Sequence, residues 1–385
     1  MGKTPSRDIP EYWNNGEHDW VSIKDLGSYE KYVGKTSETI SELGRVKSGI
    51  KSVPANTLLM SFKLSLGKTA ITTKETYTNE AIMAFLDKGT YDVDIDYMWH
   101  QLQSKDWTVG TNTAVMGKTL NKKTLSATKI RVPSISEQKE IAKHLDVVQE
   151  TLSLLSLELK TLDDLVKSRF VEMFGDKERW ASEGWPIAAV SDLICKPKSG
   201  EWGEEDLYGK GIKVLRTANF TDAGVINYTN VVTRDIDCSK LKSKGLCTGD
   251  ILIEKSGGSD KKPVGRVVLF LNQNDTYLNN NFTAALRVKD PSKISYRYLF
   301  QSLYMNYWRG GTRPFESKTT GLHNLKLDGY LSKTRIPIPS IEIQQQFADF
   351  VARVDKLGFK QSLCYRATVS TSMQGVMQYY PQAIP

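Results

Sequence analysis

The chemistry of this chain is concentrated in cations and amides clustered around glycine. Gly117-Lys118-Thr119-Leu120-Asn121-Lys122-Lys123-Thr124-Leu125 carries three lysines and no acid. A second segment of the same character holds Arg309, Arg313, Lys318, Thr319, Thr320, Gly321, His323, Asn324 and Lys326. Lys and Arg neutralise phosphates, while Asn, Thr and backbone amides donate to phosphate oxygens or read base edges. Two further stretches fit the same chemistry. One is Lys255-Ser256-Gly257-Gly258-Ser259-Asp260-Lys261-Lys262, a basic loop after an apolar run, and the other is Arg216-Thr217-Ala218-Asn219. Solvated surface loops have a similar composition, but recurrence of the basic segment at one place in both halves of the chain favours DNA contact.

Other chemistries are excluded by spacing. Three Gly-Lys-Thr triplets, at 34–36, 67–69 and 117–119, lack the glycine five residues earlier that a phosphate-cradling loop requires; Tyr29, Phe62 and Asn112 stand there. No Pro-Pro occurs, so the loop that grips a target amine in amino-methyltransferases is missing. Asp250, Glu254 and Lys255 resemble a nuclease triad only superficially, because adjacent strand residues point to opposite faces. Cysteines 195, 238, 247 and 364 and histidines 18, 100, 144 and 323 show no ligand spacing. No apolar run approaches the roughly 18 residues that span a bilayer, and reduced thiols in a cytoplasmic setting are the simplest expectation.

The elements that must position these residues come in duplicate. Ile130-Arg131-Val132-Pro133-Ser134-Ile135-Ser136-Glu137-Gln138 returns 206 positions later as Ile336-Pro337-Ile338-Pro339-Ser340-Ile341-Glu342-Ile343-Gln344. Landmarks upstream recur in the same order. Trp20 to Leu26 echoes Trp185 to Leu193, Val53 to Thr72 echoes Leu246 to Leu269, and Tyr77 to Ala81 echoes Tyr277 to Asn281. Two copies at this period indicate a duplicated domain and not a solenoid. Each reads as mixed α/β, with short Val/Ile/Leu/Thr/Tyr runs between turns and one helix near its end. In a chain of 385 residues the formal charge is +8. It is unevenly spread: 18 basic against 15 acidic residues in 1–133, 5 against 8 in 134–175, 25 against 18 in 176–339, and 4 against 3 in 340–385. Positive charge therefore sits in the repeated domains, which favours polyanionic partners.

From Ser134 to Gly175 one helical period takes over. Ile141, Leu145, Val148, Leu152, Leu155, Leu159, Leu162, Val166 and Met173 follow alternating steps of four and three, with Arg169 in one slot. Pro133 blocks helix upstream, and Ser134 with Glu137 forms a capping box. About 40 residues at 1.5 Å each span roughly 60 Å, so the helix must pack on something beyond one small domain. The second copy opens at Ser340 and continues through Ile343, Phe347, Phe350, Val354 and Leu357. After Leu357 the pattern fails at Gly358, which predicts a short or weakly packed second helix. Two ordinary core helices are the alternative.

Several of these stretches resemble type I restriction-modification specificity subunits: Leu58-Leu59-Met60-Ser61-Phe62-Lys63 with Gly67-Lys68, Thr78-Asn79-Glu80-Ala81, Pro133-x-x-Ser136-Glu137-Gln138, Leu165-Val166-Lys167-Ser168-Arg169-Phe170 running to Phe174-Gly175-Asp176, and Gly249-Asp250-Ile251-Leu252. The resemblance implies an α+β chain with two mixed α/β target recognition domains, 1–133 and 176–339. A central helix, 134–175, and a C-terminal helix with its tail, 340–385, would separate them as an antiparallel coiled coil. It implies a non-catalytic subunit that binds double-stranded DNA at a bipartite target and docks two adenine-N6 methyltransferase subunits and ATP-dependent restriction subunits. S-adenosylmethionine, ATP and Mg would belong to those partners. A scaffold or decoy that binds methyltransferase subunits without reading DNA is the competing reading. The expected DNA contacts are Lys63, Lys68, Lys118, Asn121, Lys122, Lys123, Arg216, Asn219, Lys255, Lys261, Lys262, Arg313, Lys318, Asn324 and Lys326. Replacing Lys122 and Lys123 together with alanine is expected to weaken binding to all duplexes and to lower the salt slope of log K by about 1 to 2, measured by anisotropy across a salt series.

Overall fold

A computed structural model describes the backbone of residues 1–14, 16–63, 65–107, 112–114, 117–120, 125–175, 177–272, 274–319 and 322–379, and their side chains except those of 112–114, 117–119, 177, 319, 359 and 362–379. The chain forms two compact units, Met1–Leu154 with Tyr365–Pro385, and Leu155–Cys364. The division falls inside each long helix rather than at its ends.

In the first unit β1 (His18–Val21) lies between antiparallel β2 (Glu38–Ile40) and parallel β5 (Tyr77–Thr78). A second sheet centres β3 (Leu58–Ser61) between β4 (Thr69–Ile71) and β6 (Ile82–Phe85), both antiparallel. β7 (Asn112–Ala114) and β8 (Gly117–Thr119) form a hairpin. Leu58-Leu59-Met60 is an unbroken apolar run because both faces of β3 are covered. Leu58 and Met60 pack with Trp99 and Leu102 of helix α1 (Ile95–Gln103), while Leu59 packs with Val21, Leu26 and Ile82.

The second unit repeats this plan strand for strand. β12 (Ile212–Leu215) lies between antiparallel β13 (Val232–Asp235) and parallel β17 (Tyr277–Asn279). β14 (Ile251–Glu254) is flanked by β16 (Val267–Leu269) and β18 (Thr283–Leu286). Ile251 and Ile253 face Tyr298, Leu299 and Leu303 of helix α3 (Tyr296–Trp308), and Leu252 faces Leu215 and Phe220. Short additions decorate the edges: β10 (Lys198–Ser199) on β18, β11 (Glu204–Glu205) on β13, and β9 (Ile187–Ala189) on β21 (Arg335–Pro337). β15 (Ser256–Gly258) joins the hairpin of β19 (Glu316–Thr319) and β20 (Leu322–Leu325). The strand equivalent to β1 is thus Ile212–Leu215. The Trp185 to Leu193 segment that echoes it in sequence instead pairs with β21.

Each unit launches a long helix by the same device. Gln138, in α2 (Ile135–Phe174), accepts from the Asp94 amide at 2.8 Å and donates to Pro133 O and Asp92 O at 2.8 and 2.9 Å. Gln344, in α4 (Ile341–Tyr379), accepts from the Ser295 amide at 2.8 Å and donates to Pro339 O and Lys293 O at 2.9 and 3.0 Å. Tyr97 Oη donates to Arg131 O and Tyr298 Oη to Pro337 O, again at equivalent places. The expected capping box at Ser134 is realised only in part. The Glu137 amide reaches Ser134 Oγ at 3.4 Å, but the Glu137 carboxylate turns to Arg131 at 3.1 Å.

All nine seam positions expected in α2 are buried or half-buried, whereas Val147, Leu154, Leu157, Leu165 and Val171 lie exposed. Within the second unit the two helices meet in antiparallel order. Phe170 contacts Phe347 with ring centroids 5.4 Å apart, Arg169 sits over Phe350, Leu162 and Leu159 face Gly358, and Gln361 donates to Glu158 at 2.7 Å. Numbers fall along one helix as they rise along the other. The second helix is not short: α4 runs 39 residues against 40 for α2. Its seam passes through Gly358, and Leu357 is 51% exposed. The helix continues unbroken through Gly358, which faces Leu159 and Leu162.

Gln344→Ala removes three hydrogen bonds made by a buried amide and leaves an amide and two carbonyls without them, so it is expected to lower unfolding free energy by about 2–4 kcal/mol. Urea denaturation of the full chain checks this, and a loss within experimental error contradicts the role given to Gln344.

Candidate nucleic-acid interface

The basic segments are mounted on the central strands by matching hydrogen bonds. The Ser61 amide donates to Lys68 O at 2.8 Å, and the Glu254 amide to Arg266 O at 2.9 Å. The Phe62 amide donates to Ala81 O at 3.0 Å, and the Lys255 amide to Phe282 O at 2.7 Å. The Leu120 amide then donates to Phe62 O at 2.9 Å, and the Leu325 amide to Lys255 O at 2.8 Å. Lys68 thus corresponds to Arg266, Lys63 to Ser256 and Lys118 to His323. Before the first pair stand Gly67 and Gly265, with φ of 76° and 105°, a backbone region that favours glycine. The recurrence of basic segments seen in sequence is therefore a recurrence in three dimensions: each hairpin ends against the strand that carries the neighbouring cations.

In the first unit Lys63 and Lys68 are exposed, and the Lys63 ammonium lies 5.5 Å from the Phe62 ring centroid. Lys118 pairs with Thr113 across the β7–β8 hairpin. Asn121, Lys122 and Lys123 lie outside the described residues.

In the second unit the three-stranded sheet β15-β20-β19 gathers much of the expected set. Ser256 stands opposite Asn324, whose Oδ1 accepts from Ser256 Oγ, and Lys318 stands opposite His323. The Lys255 ammonium donates to Ser199 Oγ at 2.9 Å. Burial pushes its pKa below the ordinary lysine range, aided by the nearby charge of Lys244. Lys262 pairs with Asp222 at 2.7 Å, and Lys318 pairs with Asp260. Lys261, Arg313 and Lys326 are exposed. Arg216 is half-buried, and its Nε is enclosed without a hydrogen-bond partner.

Asn219 belongs to the fold. It is 2% exposed, its Oδ1 accepts from the Arg216 amide at 3.0 Å, and its Nδ2 donates to Asn227 O at 2.9 Å and Asn230 O at 3.4 Å. The same position in the first unit holds Asp25, buried and accepting from the Ser22 amide at 3.1 Å. A residue that closes the turn after the central strand in both copies has no free group for a base.

Several further charges shape this face, and spacing in the sequence showed none of their pairings. Glu254, 2% exposed at its side chain, receives Arg266 through two bonds of 3.1 and 3.2 Å. Burial is the largest single influence and opposes the Arg266 charge, but hydrogen bonding to Glu254 together with the charges of Glu254 and Asp222 raises the pKa. Asp250 holds Arg287 through two bonds of 2.7 Å. Asp250 and Glu254 are thus committed to separate arginines. His323 Nδ1 lies 2.9 Å from Glu316 Oε2, both nearly buried. Lys244 brings its charge close to Lys255 from the Ser239–Lys244 helical turn, which also carries Lys240 and Lys242. The alternating lysines of that turn were the available signal. Among the described residues no group of three or more His, Cys, Asp or Glu side chains is arranged to hold a metal ion, and no helix is long and apolar enough to cross a membrane.

The sequence matches the family model described as the type I restriction modification DNA specificity domain over residues 1–164 and 206–361. It is 23% identical over 372 residues to the type I restriction enzyme MjaIX specificity subunit of Methanocaldococcus jannaschii, covering 91% of this chain and 82% of that protein. It is 28% identical over 152 residues to the EcoR124I/EcoR124II specificity subunit of Escherichia coli, covering 38% of this chain and 37% of that one. In fold it is similar to the crystal structure of a type I restriction-modification S subunit from M. genitalium, with a TM-score of 0.54 at 14% identity, covering 96% of this chain and 90% of the other.

Asn219→Ala is expected to cost about 1–3 kcal/mol of stability by orphaning the Arg216 amide and the Asn227 carbonyl, with no change in the sequence bound. Thermal melting and selection from a randomised duplex pool read the two effects separately.

Proposed function

The chain belongs to the type I restriction-modification DNA specificity family, and from that premise we propose that its two α/β modules, 1–133 and 176–339, each read one half of a bipartite duplex target. The chain is a non-catalytic specificity subunit. The observation that carries the reading is the matched mounting of a basic hairpin on the doubly buried strand of each module, with Phe62–Leu120 and Lys255–Leu325 as the equivalent bonds. Phosphate contacts seat a protein on the duplex, and a few residues at base edges then supply discrimination. The DNA-contact set is Lys63, Lys68, Lys118, Asn121, Lys122, Lys123, Lys255, Lys261, Lys262, Arg313, Lys318, Asn324 and Lys326, with Arg216 at its margin.

The helices serve assembly in this reading. Leu157 and Leu165 on α2 and Leu357 on α4 are exposed, outside the seam between the helices. Large apolar side chains in solvent mark surfaces for protein partners. Adenine-N6 methyltransferase subunits are the partners that fit, with ATP-dependent restriction subunits joining through them. S-adenosylmethionine, ATP and Mg then reside on those partners. The decoy reading draws on the weak seam of the second helix, and α4 is helical over 39 residues.

The test begins with methylated adenines mapped in host DNA to define the motif. Fluorescence anisotropy of the full chain with its methyltransferase should then show at least about a 1,000-fold preference for the gapped motif over a duplex with either half scrambled. Equal affinity for all three duplexes sinks the proposal.

A further inference from the structure

We propose that Asp222 and Asp260 are specificity-determining residues of the second unit, occupying on its DNA face the places that phosphates take and releasing Lys262 and Lys318 only to a correctly seated duplex. The inference rests on the DNA face assigned above.

The acids of this face fall into two classes. Glu254 and Glu316 are nearly buried and balance Arg266 and His323 inside the unit. Asp222 and Asp260 are different, with side chains 53% and 79% exposed. Exposed ion pairs add little to stability, so fold maintenance does not account for their placement. Both sit against the same turn. The Ser259 amide donates to Lys262 O at 2.6 Å and the Lys262 amide returns to Ser259 O at 3.1 Å, leaving Asp260 and Lys261 at the tip. Asp260 engages Lys318 of β19 and lies 3.5 Å from His323 Nε2. The next residue but one, Lys262, reaches Asp222 at 2.7 Å, and Asp222 also stands 3.7 Å from Arg266. Lysines 262 and 318 are therefore extended and oriented before any duplex arrives, each on an anionic oxygen.

A carboxylate so placed acts twice. It preorganises the ammonium that a phosphate will take, and it repels a backbone that arrives without the contacts needed to displace it. Exchange of carboxylate for phosphate is near neutral for the lysine. The repulsion is offset only when base-edge contacts hold the duplex in register, which lowers sequence-independent affinity more than cognate affinity.

The experiment uses the full chain with its methyltransferase partner and measures binding to the cognate duplex and to a duplex lacking the motif, across a salt series. Asp222→Asn and Asp260→Asn are each expected to tighten binding to the non-cognate duplex about 3- to 10-fold near physiological salt and to lower the cognate-to-non-cognate ratio. The gain from Asp260→Asn should vanish in a Lys318→Ala background. The inference is overturned if the asparagine variants bind non-cognate DNA no more tightly while Lys262→Ala and Lys318→Ala weaken it, a result that leaves the DNA face standing. A gain that survives Lys318→Ala also overturns it. If neither lysine nor aspartate variants change DNA binding, the face itself is misassigned and both proposals fall.

Discussion

One buried side chain in each half governs how the chain leaves its α/β module and enters a long helix. Gln138 and Gln344 are fully enclosed, and each spends both ends of its amide on backbone. An amide is suited to this because it accepts and donates at once, whereas a carboxylate cannot donate and an ammonium cannot accept. One end reads the start of the preceding helix at Asp94 or Ser295, and the other reads the proline carbonyl that precedes the long helix. The exit direction is thereby set by hydrogen bonds as well as by apolar packing, which tolerates rotation. Tyr97 and Tyr298 add a second fixed point two residues upstream of the proline. The first turns of each long helix thereby keep a defined heading from the module they leave.

Much of this architecture was legible in the chain itself. The duplicated Pro-Ser-Ile run marks the glutamine clamp, because spacing from Pro133 to Gln138 equals that from Pro339 to Gln344. The three-four rhythm of α2 marks its seam, because apolar residues that lie outside it are exposed. Less was legible in α4. Gly358 reads as a breaker from propensity, since glycine costs about 1 kcal/mol in a helix, but a single cost of that size does not end a helix of 39 residues. The Trp185 echo misled for a related reason. Two segments of apolar alternation followed by a short helical turn look alike, and only pairing shows that Ile212–Leu215 does the work of β1.

The proposed DNA face was legible in part, and the limit is physical. Sequence shows which residues carry charge but not which charges cancel. Lys255, Lys262 and Lys318 were chosen as cations, yet each has a partner from a distant stretch: Ser199, Asp222 and Asp260. Asn219 was chosen as an amide, yet its amide closes a turn. A short polar residue after a strand suits turn construction as well as recognition, and the equivalence with Asp25 decides between them.

Where the two copies agree and where they part company separates scaffold from reading surface. The unbroken apolar runs of β3 and β14, the positive-φ glycines and the helix clamps are shared. Differences begin at the strand ends, where Ser61 and Phe62 give way to Glu254 and Lys255, and Lys68 gives way to Arg266 bonded to that glutamate. The second copy also carries a longer connection after its central strand, from which β15 folds back onto the hairpin. Changes at these places leave the doubly buried strand untouched, so they alter surface charge without opening a cavity. Physical independence of the two layers lets one fold carry two different faces in a single chain, and a chain with two different faces is suited to an asymmetric target.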